Sequence, residues 1–399
     1  MRKWLTVILL GLGMVIAYVD RGNLSAVLAF RDFRTAFHLS DTDRGLLNSA
    51  FFWSYAALQI PAGWIVDRYG AKRPYAIGFT LWSLASATSG FVQNMGQLAG
   101  TRLVLGVGES VSTAASLRWI RFNCEERERG LATGIMFAGT KLGAAVGAPV
   151  TVFLVARFNW RLMFLVSGLS GLVWLVVWVL GVRDERPARV FPSDASAVVK
   201  MTDLLRRRAL WGIILGTFAY NYFIYFCLTW LPSYLTEARH LSPQAMGFYT
   251  MFSFGGIAIV SILAGLAADR VIARGGNPVR TRKLFTLVGF VLASTEIVGM
   301  LTRSNNVALF FAIFSLTGLG LATANYWALT QTIFPQNAIG RVIGVQNCAS
   351  NLSGIAAAIL TGWLKQLTGG YGASGVAILV VLLIGLASYG LLVREEPSR

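Results

Sequence analysis

"GWIVDRYGAKR", Gly63 to Arg73, returns in degenerate form as "GLAADRVIARGG", Gly265 to Gly276. Each copy holds a glycine, three residues, an Asp-Arg pair and then basic residues, and each follows an apolar run long enough to cross a bilayer. The two cores lie about 200 residues apart in a chain of 399, at matching places in its two halves. A parallel duplication of six helices explains both copies economically. The longest polar interruption, "VRDERPARVFPSDASAVVKMTDLLRRR" from Val182 to Arg208, falls between them and reads as a linker. The expected division is a six-helix bundle over 1–182, a cytoplasmic linker over 183–208 and a second six-helix bundle over 209–399.

Composition agrees. Apolar residues make up 55% of the chain and charged residues only 13%, more apolar surface than a soluble protein of this length could bury. Runs of about 20 apolar residues recur along almost the whole length and leave no room for a sizeable water-soluble domain. Twelve spans are expected, starting near residues 5, 44, 74, 97, 131, 161, 210, 245, 284, 307, 341 and 373. The N-terminus imitates a secretory signal, but its apolar pattern runs on to Phe30, so it reads as an uncleaved first span. With a cytoplasmic N-terminus, 24 of the 35 Lys and Arg fall in inner segments and 8 in outer ones. That asymmetry places both termini in the cytoplasm and accounts for most of the +17 net charge. The basic residues lie in short tracts between apolar runs, which argues against nucleic acid as a partner. Cys124, Cys227 and Cys348 stand singly, so neither a disulfide framework nor a metal site is supported, and no cofactor is expected.

"GWIVDRYGAKR" looks like the inner-loop signature of the major facilitator superfamily, and the resemblance covers the whole chain. It implies an all-α membrane protein of twelve transmembrane helices in two six-helix halves. Gating is expected at Asp67 and Arg68 and at their counterparts Asp269 and Arg270. Asp67 could pair with Arg68 or with basic groups on a neighbouring helix and latch the inner gate; the alternative is a loop held by positive-inside charges alone. Gly63 and Gly70 would permit close packing and a sharp turn.

Few ionisable residues remain within the spans: Asp20 and Arg21, Arg102 and Glu109, Lys141, and Glu296. A charge at membrane depth costs about 2.5–3.5 kcal/mol or more unless paired or solvated, so these positions are candidates for function. Arg102 and Glu109 are seven residues apart and share nearly one helix face, about 10 Å apart along the axis. The bland alternative is a set of structural pairs, Asp20 with Arg102 or Arg21 with Glu109. If all are ionised, Arg21, Arg102 and Lys141 against Asp20 and Glu109 leave one positive charge, which wants an anion. Protonating a carboxylate deepens that demand, so a proton and an anionic substrate would favour each other's binding. Glu296 has no evident partner in sequence and is left out of the site.

Tyr18, Asp20, Arg21 and Asn23, with Arg102 and Glu109, make the chain similar to the anion:cation symporter branch of the superfamily, which includes sugar-acid and phthalate-type permeases. "LTWLPSYL", Leu228 to Leu235, adds to the match. The branch implies that Arg21 grips a substrate carboxylate, that Glu109 takes the proton, that Asp20 is a second protonatable group and that Arg102 holds Glu109 ionised. Tyr55 resembles a substrate-reaching tyrosine. Lys141 stands where sugar-acid permeases often place glutamine, and a lysine there can grip a further carboxylate; snorkelling is its alternative, poor at that depth. Asn347 and Trp327 resemble substrate-reading residues of sugar-acid members, and Tyr222 lies in the polar stretch "YNYFIY". For such groups interhelical hydrogen bonding is an equal alternative.

The expected protein is a secondary carrier in a bacterial inner membrane: a monomer in the lipid bilayer that couples a small organic anion to protons, with sodium coupling or exchange as the alternative. No GxxxxGK[ST], GxSxG or HExxH occurs, and His38 and His240 fall in outer loops, so neither an ATP-driven pump nor an enzyme is expected.

Overall fold

The computed structural model describes residues 2–182, 201–334 and 336–393, and all regular structure among them is helical. In chain order the helices are α1 (Arg2–Leu28), α2 (Arg31–Ala36), α3 (Asp41–Tyr69), α4 (Lys72–Thr88), α5 (Met95–Asn123), α6 (Glu126–Arg157), α7 (Trp160–Gly181) and α8 (Met201–Leu205). There follow α9 (Arg208–Thr229), α10 (Leu231–Glu237), α11 (Pro243–Ala273), α12 (Pro278–Ser294), α13 (Glu296–Leu301), α14 (Asn305–Ile333), α15 (Gln336–Thr368) and α16 (Gly372–Ala387). Each of the twelve expected spans has a helix beginning within a few residues of its expected start. Most of the linker expected over 183–208 lies outside the described residues.

Nine of these segments are long and apolar enough to cross a membrane, which makes this an integral membrane protein. Three other long helices fall short of that test for a physical reason. The helix α4 has only 17 residues, and α3 and α5, at 29 residues each, carry polar side chains that they bury rather than show to lipid. Arg44, Asn48, Arg102, Glu109, Ser112 and Ser116 are all buried. These six polar residues of α3 and α5 therefore point into protein, while Asp67, Arg68, Gln97 and Arg121 of the same helices are exposed.

Local chemistry fixes the ends. Ser40 caps α3 by accepting from Asp43 N at 3.1 Å while its own N–H donates to Asp43 Oδ2 at 3.0 Å, a reciprocal cap that closes two otherwise unpaired donors. Asn94, Asn159 and Asn277 cap α5, α7 and α12 in the same spirit through their side-chain oxygens. The far end of α3 is turned by Gly70 at φ +80°, where a Cβ would be strained. The expected role of Gly63 does not hold: a Cβ there would meet no atom within 4 Å, so no close helix contact depends on it.

Close packing instead runs through Gly139, Gly143 and Gly147 of α6, which sit at successive four-residue intervals on one face. A Cβ on Gly139 would land 2.1 Å from Gly11 O, and one on Gly143 would land 2.4 Å from Val15 O of α1. The small-residue face brings the two backbones together, as membrane helices require in the absence of a hydrophobic driving force between them. A second close approach, between Gly78 of α4 and Gly108 of α5, seats the polar face of α5.

The helices form two compact units. One comprises residues 2–182 together with Leu228–Met251; the other comprises 201–227 and 252–393. Leu228–Met251 follows the middle of the sequence yet packs with the first unit. In the first unit Asp67 pairs with Arg118 of α5 at 3.0 Å, and in the second Asp269 pairs with Arg282 of α12 at 2.9 Å. Arg68 is not the partner of Asp67; its guanidinium lies over the rings of Trp64 and Tyr69 at 5.3 and 5.6 Å. Consecutive helical residues point in different directions, which favours a partner on a neighbouring helix. Arg270 is exposed, and no ion pair joins it to Asp269 among the described residues.

Gly143→Ala is expected to lower the melting temperature of the detergent-solubilised protein by several degrees, since overpacking of this kind costs about 1–3 kcal/mol. Gly63→Ala should leave it unchanged or slightly higher. Fluorescence-detected thermal unfolding checks both, and equal effects at the two positions would refute the packing argument.

Candidate functional site

Two helices of the first unit, α1 and α5, bring the buried charges together. On α1, Asp20 and Arg21 are adjacent and so diverge by about 100° around the helix. Arg21 Nε donates to Glu109 Oε2 of α5 at 2.6 Å, with the Arg21 and Glu109 side chains only 5% and 0% exposed. The guanidinium carbon lies 4.6 Å from each of three ring centroids, those of Tyr18, Phe51 and Tyr55. The rings of Phe51 and Tyr55 are themselves stacked, 5.2 Å apart, because they are one turn apart on α3. An arginine with one acid and three aromatic faces is held by ion pairing and by cation–π attraction, the latter worth about 2 kcal/mol when desolvated.

Asp20 points elsewhere. Its Oδ1 accepts from Ser86 Oγ of α4 at 2.8 Å, from Ser167 Oγ of α7 at 2.5 Å and from Asn23 Nδ2 at 3.3 Å, while Oδ2 has no hydrogen-bond partner. Arg102 reaches back to the same turn of α1: Nη1 donates to the backbone oxygen of Asp20 at 3.0 Å and to Asn23 Oδ1 at 3.2 Å. Its guanidinium lies 5.1 Å from the Phe164 ring centroid, and its Nε and Nη2 lack hydrogen-bond partners.

Among the described residues no hydrogen bond or ion pair joins Arg102 to Glu109; the direct partner of Glu109 is Arg21. Two helical turns separate 102 from 109, about 10 Å along the axis, so the acid is met by a base from α1 at its own level. Of the two structural pairs considered, Arg21 with Glu109 forms, whereas Arg102 meets the main chain of Asp20 rather than its carboxylate. Glu109 Oε1, Asp20 Oδ2 and two Arg102 nitrogens thus form a set of buried, unsatisfied polar atoms around one turn of α1. Each such atom costs about 1–3 kcal/mol. A water-sized cavity of about 10 Å³ lies beside them, with Arg21, Arg102, Asn48, Phe51 and Leu228 in its wall.

The other expected residues lie on α6 and in the second unit. Lys141 is half-buried on α6 and has no hydrogen bond or ion pair among the described residues. In the second unit, Tyr222 is buried on α9, with its ring 6.2 Å from Phe218. Trp327 is half-buried on α14, with its ring 5.2 Å from Tyr326, and Asn347 is half-buried on α15, where its backbone oxygen accepts from Asn351. No hydrogen bond or ring contact joins these three among the described residues. The polar contacts of that unit run instead from Tyr220 to Thr323, at 2.7 Å, and from Gln346 to Thr217, at 2.9 Å. Glu296 does have a partner, since it accepts from Ser315 Oγ of α14 at 2.5 Å.

Sequence reasoning missed Phe51, Ser86 and Ser167. Phe51 carried a signal, its four-residue spacing from Tyr55; the two serines carried none, because serine is common on membrane helix faces. It also missed a second buried cluster. Arg44, at the start of α3 and only 1% exposed, donates to Asp41 at 2.6 Å, meets Glu237 of α10 at 2.8 Å and donates to Ser233 Oγ. Arg34 of α2 pairs with the same Glu237.

The first unit is a bundle of long apolar helices that buries a cluster of charges. The sequence model of the Major Facilitator Superfamily matches residues 10–358, and the chain belongs to that family of transporters. It is 30% identical to the D-galactonate transporter of Escherichia coli O6:H1, covering 99% of this chain and 96% of that one. It is 29% identical to a probable sulfoacetate transporter of Cupriavidus necator, covering 96% and 93%. A bacterial homolog of the human lysosomal transporter Spinster, solved in an inward-facing and occupied conformation, has the same fold with a TM-score of 0.83 at 17% identity, covering 99% and 97%.

Breaking the Arg21–Glu109 pair from one side strands a buried charge, which typically costs about 3–5 kcal/mol, whereas removing both partners costs less than the sum. Arg21→Gln alone should melt below the double variant Arg21→Gln/Glu109→Gln. Additive shifts in melting temperature would show that the two side chains do not depend on one another.

Proposed function

We propose that this transporter moves a small organic anion in symport with protons, by alternating access between two six-helix halves. The observation that carries the reading is the Arg21–Glu109 pair inside its aromatic cage. Arginine recognises carboxylates through paired donors, and here an internal carboxylate already occupies it. When Glu109 takes a proton its hold on Arg21 weakens, and a substrate carboxylate becomes the better partner for the guanidinium. Proton and anion therefore enter together, each raising the other's affinity. The loaded site keeps a charge that differs little from the empty one, so the low-dielectric interior does not oppose its movement. Asp20, buried with one unpartnered oxygen, is the second protonatable group.

Tyr55 borders the guanidinium and is assigned to the substrate's first carbons. Lys141, a cation without an anionic partner among the described residues, is assigned to a second acidic group or an electron-rich tail. Tyr222, Trp327 and Asn347 offer hydroxyl, ring and amide groups for the rest of the molecule. The relatives named for D-galactonate and sulfoacetate support an organic acid as the substrate, and a sugar acid, a dicarboxylate or an aromatic acid is the class assigned to this site. Asp67, Arg68, Asp269 and Arg270 are assigned to the inner gate, with Arg118 and Arg282 holding the two aspartates. The positive-inside bias supports cytoplasmic termini in a bacterial inner membrane.

A thermal-shift panel of organic acids on the purified protein identifies the substrate class, because a ligand that binds the folded state raises its melting temperature. Arg21→Ala should abolish that shift. Glu109→Gln should retain binding and exchange in proteoliposomes while losing accumulation driven by a pH gradient; retained uphill transport would move the proton role to Asp20. Lys141→Gln should weaken a dianionic substrate about tenfold or more relative to a monoanionic one of similar size. Unchanged selectivity would remove Lys141 from the site.

A further inference from the structure

Glu109 shows its two carboxylate oxygens to different surroundings. Oε2 is held by Arg21, which also lines the small cavity, whereas Oε1 is buried and has no hydrogen-bond partner. Farther along α5 the same face is hydroxylated. Ser112 and Ser116 lie three and seven residues beyond Glu109, within about 60° of it around the helix, and Ser116 is about 10 Å farther along the axis. Both serines are buried; Ser116 Oγ donates to the backbone oxygen of Ser112 at 2.7 Å, and Ser112 Oγ has no hydrogen-bond partner. Side chains on a helix lean toward the preceding turn, which inclines Ser112 toward Glu109.

The helix α4 continues the line. Its register against α5 is set at Gly78, where a Cβ would land 2.4 Å from Val111 Cγ2 and 2.5 Å from Gly108 O. One turn nearer the start of α4, the wholly buried Tyr75 stands beside Ser116. Its hydroxyl has no hydrogen-bond partner and faces α1 where Gly13 leaves room, since a Cβ on Gly13 would land 2.7 Å from Tyr75 Oη. Trp174 and Trp178 of α7 wall the ring, at 5.2 and 4.9 Å between centroids. Tyr75 is three residues from Lys72, the first residue of α4 and part of the basic loop assigned to the cytoplasm. Three orphaned polar atoms, Glu109 Oε1, Ser112 Oγ and Tyr75 Oη, thus lie between the carrier site and that loop. Buried groups of this kind are satisfied by internal water, and a hydroxyl can accept one proton while it donates another.

We infer that, given the symport and orientation proposed above, Glu109 releases its proton to the cytoplasm through Ser112, Ser116 and Tyr75, inside the first unit and apart from the route of the organic anion. The carboxylic acid passes its proton to a linking water or to Ser112. Each hydroxyl gives up its own proton as it accepts the next, and Tyr75 yields one to water at the cytoplasmic end of α4. Glu109 is left as a carboxylate that pairs again with Arg21, and the three hydroxyls end as they began. A proton leaving through the cavity would instead have to pass the guanidinium groups of Arg21 and Arg102 in its wall, which repel it. The hydroxyl route carries no fixed charge.

The test compares two fluxes in proteoliposomes, uptake driven by a pH gradient and exchange of internal for external acid, which needs no net release of the proton. The probe is D-galactonate, replaced by the panel acid with the largest thermal shift if that acid binds better. Tyr75→Phe keeps the ring and Ser112→Ala keeps the helix, and each should slow gradient-driven uptake at least fivefold while exchange and the thermal shift stay within twofold of native. Ser112→Thr, which restores a hydroxyl, should recover the uptake. Native rates of driven uptake in both variants would overturn the path and leave the symport standing. Exchange that falls in step with uptake would assign the hydroxyls to packing alone and also overturn it. A native protein that exchanges the acid but shows no gradient-driven uptake would overturn the symport itself.

Discussion

An arginine and a glutamate pressed together where water is scarce constrain everything around them. Arg21 and Glu109 come from different helices, α1 and α5, so those helices must meet at one depth, and the pair must be surrounded by groups that tolerate charge. The aromatic faces of Tyr18, Phe51 and Tyr55 supply that tolerance without adding a competing acid. The pair is a poor investment in stability, since desolvation offsets much of its attraction. Its persistence in a fold that could bury leucines instead is the physical argument for a working site.

The surrounding helices make this pair possible through small residues. Gly139, Gly143 and Gly147 let α6 lie against α1, and the Gly78–Gly108 contact seats α5 against α4. With those helices fixed, the turn of α1 from Asp20 to Asn23 meets α4, α5 and α7 at once, through Ser86, Arg102 with Glu109, and Ser167. The leftover hydrogen-bonding capacity on Asp20, Arg102 and Glu109 is confined to that turn. Packing and chemistry are therefore linked: displacing α6 by one methyl group on Gly143 would move α1, and with it Asp20 and Arg21.

Much of the fold was legible in the sequence because bilayer thickness leaves few choices for an apolar run of given length. The starts of the twelve long helices follow from hydropathy, and the repeated Asp-Arg loops mark equivalent places in the chain. Partner choice was far less legible. The family resemblance implied that Arg102 guards Glu109, and spacing along α5 puts the two on nearly one face, but spacing reports only which side chains share a face; which of them meets a residue from another helix depends on depth and tilt. The same limit hid the Asp67–Arg118 pair behind the adjacent Arg68, and hid Ser315 from Glu296. Arg44 and Glu237 were invisible for a different reason: each sits near a helix end, where a charge reads as an ordinary solvated terminus, and only folding buries them against each other.

The claim on which the account rests is that Arg21 cannot serve Glu109 and a substrate carboxylate fully at once. Proton uptake on ligand binding measures this directly, with purified protein in weakly buffered solution, a pH indicator dye and an acid that raises the melting temperature. Binding should draw protons from solution in the native protein, and that uptake should fall sharply in Glu109→Gln while binding persists. Binding with no proton uptake by the native protein, at any pH between 5 and 9, would contradict the account.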